Sequence, residues 1–279
     1  MENFINNIQE IPKDKKVFVF DLDGTLAESK TKIDSEMGTL LARLLIKSKI
    51  AIIGGASFGQ MKSQLPENIS EDSNLMLLPL DGGSLYLYQD EGWPGSRTSG
   101  GSAGSEIPEV SLPGWRKIYS QSLTDEEKKK IFESFEKAFK DTGYVQSAKI
   151  YGEIIEDRGG QVTFSALGQH APLDEKEKWN KENNEIRFRI VAVLKDYLPD
   201  MEIKVAGLTS IDVTRKGIDK KFGIKQIIKH LGVTTEDVLF FGDALEPEGN
   251  DYPALEAGVA CYKVSSVQDT KEAIEFLLD

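Results

Sequence analysis

The stretch VFVFDLDGTLAES, residues 17–29, sets an apolar run of β-branched and aromatic residues directly against two aspartates, a glycine and a threonine. Such a run predicts a short buried strand, and the Asp-Gly-Thr that follows marks the loop at its end. Asp21 and Asp23 leave the strand with Leu22 turned away between them. A pair so placed can divide the work of phosphoryl transfer: Asp21 attacks phosphorus and Asp23 handles the proton. Gly24 lets the backbone double back so that amide N–H groups face phosphate oxygens, and Thr25 orients the loop by hydrogen bonds.

Working outward, DSEMGTLLARLLIKS carries apolar residues at helical spacing behind a cap at Asp34, KIAIIGG returns to strand character, and FGQMKSQLP predicts a short helix. That is a βαβα run of the doubly wound type. The far end repeats the grammar: GIDKKFGIKQIIKHLG is an amphipathic helix, DVLFFGD a buried strand, DYPALEAG a short helix and VACYKV another strand. The core is therefore expected at 1–86 and 205–279, as two halves of one Rossmann-like sheet, with 87–204 inserted between them. Inside the insertion, DEEKKKIFESFEKAFKD and DEKEKWNKENNEIRFRIVAVLKDYL are helical patterns among strand-like EIIED, QVTFSALG and MEIKVAG, which makes that domain α+β. Residues 94–114 are Gly/Ser-rich and then bounded by prolines; an extended natural loop and an engineered linker both fit them.

The second half of the core brings more acids. FFGDALEPEGND puts Asp243 at a strand end and Asn250 and Asp251 beyond a short loop, oxygen donors that suit a hard cation such as Mg2+. In GIDKKFGI a lysine can stabilise both the anionic nucleophile and the transferring phosphoryl group; Lys220 is favoured, with Lys216 and Lys221 as alternatives. In IIGGASF the amide of Gly55 and the hydroxyl of Ser57 are placed to bind phosphate.

In this order the pieces resemble the haloacid dehalogenase superfamily of phosphotransferases, and more narrowly its eukaryotic-type phosphomannomutase branch. WNKENNEIRFRIVAVLKDYL, GLTSIDVTRKGIDKKF and the spacing from Asp243 to Asn250 carry the narrower likeness. The resemblance implies an α/β fold, a Rossmann-like core with a mostly parallel sheet plus an inserted α+β cap of the C2 type. It implies Asp21 as nucleophile, Asp23 as acid and base, and Lys220 as the site lysine. Mg2+ would be held by the Asp21 carboxylate, the Asp23 backbone carbonyl and Asp243, with Asn250 and Asp251 holding ligands or waters. Arg158, Ser210 and Asp212 match cap-side ligand positions. The chain departs from the family where Tyr151 and Gln169 stand in place of arginines, and where Ala56 replaces a serine.

A mutase must grip two phosphates, so two missing cationic anchors favour hydrolysis. The expected function is a Mg2+-dependent phosphatase acting on a small phosphorylated metabolite, a sugar phosphate, through an aspartyl-phosphate. The alternative is a phosphomannomutase, and a reading of another class is a scaffold presenting 94–114 to a protein partner. A formal net charge of -12, from Lys+Arg 34 against Asp+Glu 46, disfavours nucleic acid and acidic membrane surfaces as partners. Cys261 is the only cysteine, which excludes an internal disulfide, and the two histidines, His170 and His230, stand in no nucleophile motif. The polar N-terminal stretch and the lack of a long apolar run give a cytoplasmic expectation. A homodimer is left open.

Overall fold

In the computed structural model, which describes residues 4–29, 31–89, 114–247 and 249–279, the apolar run behind Asp21 is buried at every position. A short β1 (Phe4–Ile5) precedes it, and the run itself is β2 (Val17–Asp21). Side chains alternate across a strand. Accordingly Phe18 and Phe20 enter one core cluster and Val17 and Val19 the other, so the strand is covered on both faces. The chain continues through α1 (Ser35–Leu45), β3 (Lys49–Gly54), α2 (Phe58–Gln64), β4 (Leu75–Pro79), β5 (Ser84–Gln89) and β6 (Gly114–Ser120). Asp34 caps α1 as expected, its side chain accepting the Met37 N–H at 2.8 Å.

A second unit, Ser120–Ile218, follows. It contains α3 (Asp125–Thr142), β7 (Ile155–Asp157), β8 (Gln161–Ser165), α4 (Leu173–Tyr197), β9 (Met201–Ala206) and β10 (Ser210–Arg215). Its four strands pair antiparallel in the order β7-β8-β10-β9. Phe164, Val162, Ile211 and Val213 from one face of that sheet pack with Ile131 and Phe135 of α3 and Ile190 and Leu194 of α4.

The chain then returns to the first unit with α5 (Lys220–Leu231), β11 (Val238–Gly242), α6 (Tyr252–Glu256), β12 (Ala260–Lys263) and α7 (Val267–Leu278). The large sheet runs β1-β12-β11-β2-β3-β4-β5-β6, parallel from β1 to β4 with β5 antiparallel to β4. α1 and α7 cover the face carrying Phe18 and Phe20, and α5 and α6 cover the other. From β2 the chain moves outward to β3 and β4, whereas from β11 it moves the opposite way to β12. The switch in direction therefore falls between β2 and β11, and open α/β sheets bind ligands at the carboxyl ends of strands at such a point.

This is the expected α/β fold with a mostly parallel sheet, but the unit boundaries lie elsewhere than 86 and 204. The expectation stopped the core too early because β5 and β6 were not read as strands of the large sheet. Leu85 is fully buried in the first unit's core and Trp115 packs edge-on against Phe58 and Tyr88. At the other end, β9 and β10 stay in the second unit because they form one hairpin. Most of the 94–114 stretch lies outside the described residues, and so does the proposed presentation of that loop. Among the described residues no helix is long and apolar enough to cross a membrane.

Two glycines set how α5 meets the sheet. A Cβ on Gly223 would stand 2.5 Å from Ile53 Cδ1 and 2.9 Å from the Gly82 Cα, so the first turn of α5 lies directly on the turn between β4 and β5. Gly223→Ala is expected to destabilise the fold by about 1–3 kcal/mol through overpacking. Gly59→Ala, in α2, where a Cβ meets nothing within 4 Å, is expected to stabilise it by up to about 1 kcal/mol. Urea denaturation of the two variants checks both signs.

Candidate active site

Because β2 and β11 run parallel in register, Phe20 beside Phe241, the residues that leave their carboxyl ends emerge together. Asp21 closes β2, and Asp243 follows β11 at once. The loop after Asp243 folds back through a double contact: the Ala244 N–H donates to Asp251 Oδ2 at 2.9 Å and the Asp251 N–H donates to the Ala244 carbonyl at 3.1 Å. Asp251 is thereby returned to the strand ends, where a Cβ on Gly242 would collide with its carboxylate. Oxygens of Asp21, Asp243 and Asp251 lie within 4.8 Å of one another.

Lys220 completes the cluster. It opens α5 behind Asp219, whose side chain accepts the Phe222 N–H at 2.9 Å, and its own side chain is fully buried. The ammonium donates to Asp21 Oδ1 at 2.5 Å and to Asp251 Oδ1. Of the three candidate lysines it is the one in the cluster; Lys221 pairs with Glu256 and Lys216 is exposed. Asp251 precedes α6, yet its side chain makes no cap bond there.

Burial, opposed by the Lys220 charge, holds the Asp21 carboxyl well above the usual carboxylate range, and the Asp251 charge adds to the rise. Asp243 is also raised, by burial first and the Asp251 charge second. Lys220 is raised because the carboxylates around it outweigh its own desolvation. Three carboxylates against one ammonium leave a formal excess of two negative charges. Among the described residues, the buried Asp21 Oδ2 has no hydrogen-bond partner. An oxygen-only donor set with that excess and an unpaired buried acceptor fits a hard divalent cation.

The other expected residues surround this cluster. Gly24 has a φ of 93°, and a Cβ there would stand 2.9 Å from Asp243 Oδ2, so the loop requires glycine. Its N–H donates to the Ala27 carbonyl at 2.7 Å, and the N–H groups of Leu26 and Ala27 donate to the Leu22 carbonyl, which is the doubling-back that the sequence suggested. Leu22 is buried. Thr25 is fully buried and its hydroxyl donates to Asp243 Oδ1 at 3.5 Å, so it supports that carboxylate. Asp23 lies outside the carboxylate cluster, with its Oδ1 facing Gln64 at 3.4 Å. Asn250 is exposed. Gly55 and Ser57 follow β3, the neighbour of β2, but Ser57 caps α2: its hydroxyl oxygen accepts the Gln60 N–H at 3.4 Å while Gln60 Oε1 accepts the Ser57 N–H at 2.9 Å.

Sequence reasoning missed Asp81. It sits between β4 and β5 with a φ of 53°, after Leu80 at 56°, both in the left-handed region uncommon for side-chain-bearing residues. Its negative charge is a further one acting on Lys220. The Leu-Asp-Gly-Gly sequence is a turn signal that could have marked the position.

In the second unit, Arg158 forms a two-nitrogen ion pair with Glu156, its Nε and Nη2 each 2.7 Å from Oε2. The Gln169 amide lies against the same carboxylate, and turned so that its nitrogen faces Glu156 it donates there at 2.7 and 3.0 Å. Tyr151 donates to Glu175 at 3.2 Å, which also receives Lys149. Asp212 accepts the Thr163 hydroxyl at 2.7 Å, and the Ser210 and Ser165 hydroxyls meet at 3.0 Å. Arg158, Ser210 and Asp212 thus lie on strands or turns of one sheet, each already engaged by a neighbour.

The chain is similar to known proteins both in sequence and in fold. A family model described as eukaryotic phosphomannomutase matches residues 116–279. A phosphomannomutase of Encephalitozoon cuniculi is 30% identical over 86% of this chain and 84% of its own. In structure, the chain is similar to an IMP-nucleotidase of Plasmodium falciparum, with a TM-score of 0.63 at 15% identity over 97% of this chain and 70% of that one. It is also similar to a haloacid dehalogenase-like hydrolase of Bacteroides thetaiotaomicron, at a TM-score of 0.54 and 14% identity over 93% and 92% of the two chains.

Removing Lys220 leaves two buried carboxylates without their cation. Lys220→Met is expected to cost about 3–5 kcal/mol in magnesium-free buffer, the range for breaking one side of a buried pair. The deficit should be smallest in acid. A carboxyl whose folded pKa is raised, as that of Asp21 is, contributes stability below its unfolded pKa and loses it as pH rises through the folded one. Thermal unfolding of wild type and variant across a pH series checks both the size and the slope.

Proposed function

The chain belongs to the eukaryotic phosphomannomutase family, and from that membership we propose that it is a magnesium-dependent phosphotransferase that isomerises a sugar phosphate through an aspartyl-phosphate on Asp21. The observation that carries this reading is the Asp21–Lys220–Asp251 contact beside Asp243, in a chain 30% identical to a phosphomannomutase over 86% of its length.

Asp21 attacks phosphorus in line; its oxygen gains the phosphoryl group while the bond to the leaving oxygen breaks, and Asp23 supplies that oxygen with a proton. In the return step Asp23, now a carboxylate, takes the proton of the acceptor hydroxyl, whose oxygen attacks phosphorus and frees Asp21. Lys220 holds the nucleophile and offsets charge on the phosphoryl oxygens. Magnesium, when held by Asp21 and Asp243, neutralises charge on the transferring group. Amides at the turn after Gly55 receive its oxygens, while those of Gly24, Leu26 and Ala27 hold the loop itself together.

Hydrolysis, which leads the sequence reading, stands second here: the acceptor is then water and the products are free phosphate and the alcohol. It is favoured by one observation, that Arg158, the one arginine matching a distal-phosphate position, is paired with Glu156, while Tyr151, standing in place of another arginine, donates to Glu175.

Mannose 1-phosphate, magnesium and a sugar bisphosphate activator should give mannose 6-phosphate, read in a coupled assay. Release of inorganic phosphate in its place would make hydrolysis the function. Asp21→Asn is expected to lower turnover about a thousandfold or more under either outcome, because both pass through the same nucleophile. Full turnover in that variant would remove the aspartyl-phosphate from the mechanism.

A further inference from the structure

Gln64 closes α2 and is buried, an unusual place for a long amide unless its polar atoms are used. Its amide nitrogen carries two protons, and the structure gives it two acceptors: the Thr31 carbonyl at 2.8 Å and Asp23 Oδ1 at 3.4 Å. Both acceptors lack a proton to give when Asp23 is ionised, so the amide can face them only with its nitrogen. The Gln64 main chain is tied to the same segment, its carbonyl accepting the Ile33 N–H at 2.9 Å. One residue thus joins the end of α2, the 31–33 segment and the second aspartate of the DxD loop.

We infer that Gln64 is a positioning residue for proton transfer, holding the Asp23 carboxyl by one oxygen so that the other faces the leaving or attacking oxygen. The inference rests on the reading of Asp23 as acid and base given above. Asp23 follows the strand on a loop, where a carboxyl without a lateral tie can rotate about two bonds. A hydrogen bond from a buried amide restricts that rotation, and general acid catalysis depends on the donor staying within hydrogen-bond reach of the departing oxygen. Gln64 touches neither substrate nor phosphorus in this role. It acts through Asp23 alone.

The test uses leaving groups that differ in their need for a proton. With magnesium present, phosphoryl transfer from 4-nitrophenyl phosphate requires little acid assistance, whereas transfer from mannose 6-phosphate expels an alkoxide unless it is protonated. Gln64→Met, similar in length but without the donor, is expected to lower kcat/KM for mannose 6-phosphate by about tenfold or more while changing that for 4-nitrophenyl phosphate within about twofold. The ratio of the two constants does not depend on how much of the variant is folded. Gln64→Glu, which keeps the polar tip but sets a carboxylate against Asp23, should show the same split and serves if the methionine variant does not fold. Equal losses with both substrates, or no loss with either, would overturn the inference. Asp23→Asn calibrates the experiment: a split in Asp23→Asn with none in the Gln64 variants overturns the positioning role alone, and no split in Asp23→Asn overturns the acid–base reading together with it.

Discussion

The Lys220 ammonium buried between the carboxylates of Asp21 and Asp251 is the contact on which the first unit depends. A single charge left in such a place would cost several kcal/mol, roughly, even after the protein relaxes around it. The surrounding elements therefore have to deliver three acids and a lysine to one point. Parallel pairing of β2 with β11 brings two strand ends together, the Ala244–Asp251 clasp returns a third acid, and α5 starts at the lysine itself. Close contact between Gly82 and Gly223 fixes the first turn of α5 against the sheet, which leaves the lysine little freedom to withdraw.

The pairing is incomplete, and the incompleteness is where chemistry can enter. Lys220 satisfies one oxygen of Asp21 and leaves the other buried without a partner among the described residues. An acid held this way is costly to ionise without an added cation, and its free oxygen has a fixed direction. Asp23, two residues on, sits in a different environment, partly exposed and outside the carboxylate cluster. Two acids on one short loop thus stand in separate surroundings, one buried against Lys220 and one beside Gln64.

The second unit shows the same economy of charge. Glu156 collects Arg158 and Gln169, Asp212 collects Thr163, and Ser210 collects Ser165, so the polar row across β7, β8 and β10 is hydrogen-bonded within itself. Arg187 does for the β9–β10 turn what a cap does for a helix: it donates to the carbonyls of Ala206, Gly207 and Ser210 from α4, and burial lowers its pKa to about 10. A ligand that binds here must exchange with these bonds.

Local chemistry made much of this protein legible in its sequence. Apolar runs ending in Asp-Leu-Asp-Gly and Gly-Asp, with helical periodicity between them, are enough to identify strand ends that carry acids and a sheet divided between the two ends of the chain. Capping at Asp34, the need for glycine at position 24, and Lys220 as the favoured lysine were all readable, because each follows from the residue's own backbone or its immediate neighbours. The limits of the core were not, because β5 and β6 belong to the first unit through their place in its sheet and through packing such as that of Trp115 on Phe58. A turn signal marks the position of Asp81, but what Asp81 and Gln64 face was not readable: it is set by a left-handed turn packed on α5 in one case and a buried helix end in the other. Sequence by itself determined which acids stand at the strand ends and which lysine can reach them. Only the tertiary structure decided which of them share a charge, because the energy of a buried charge depends on distances that no local pattern contains.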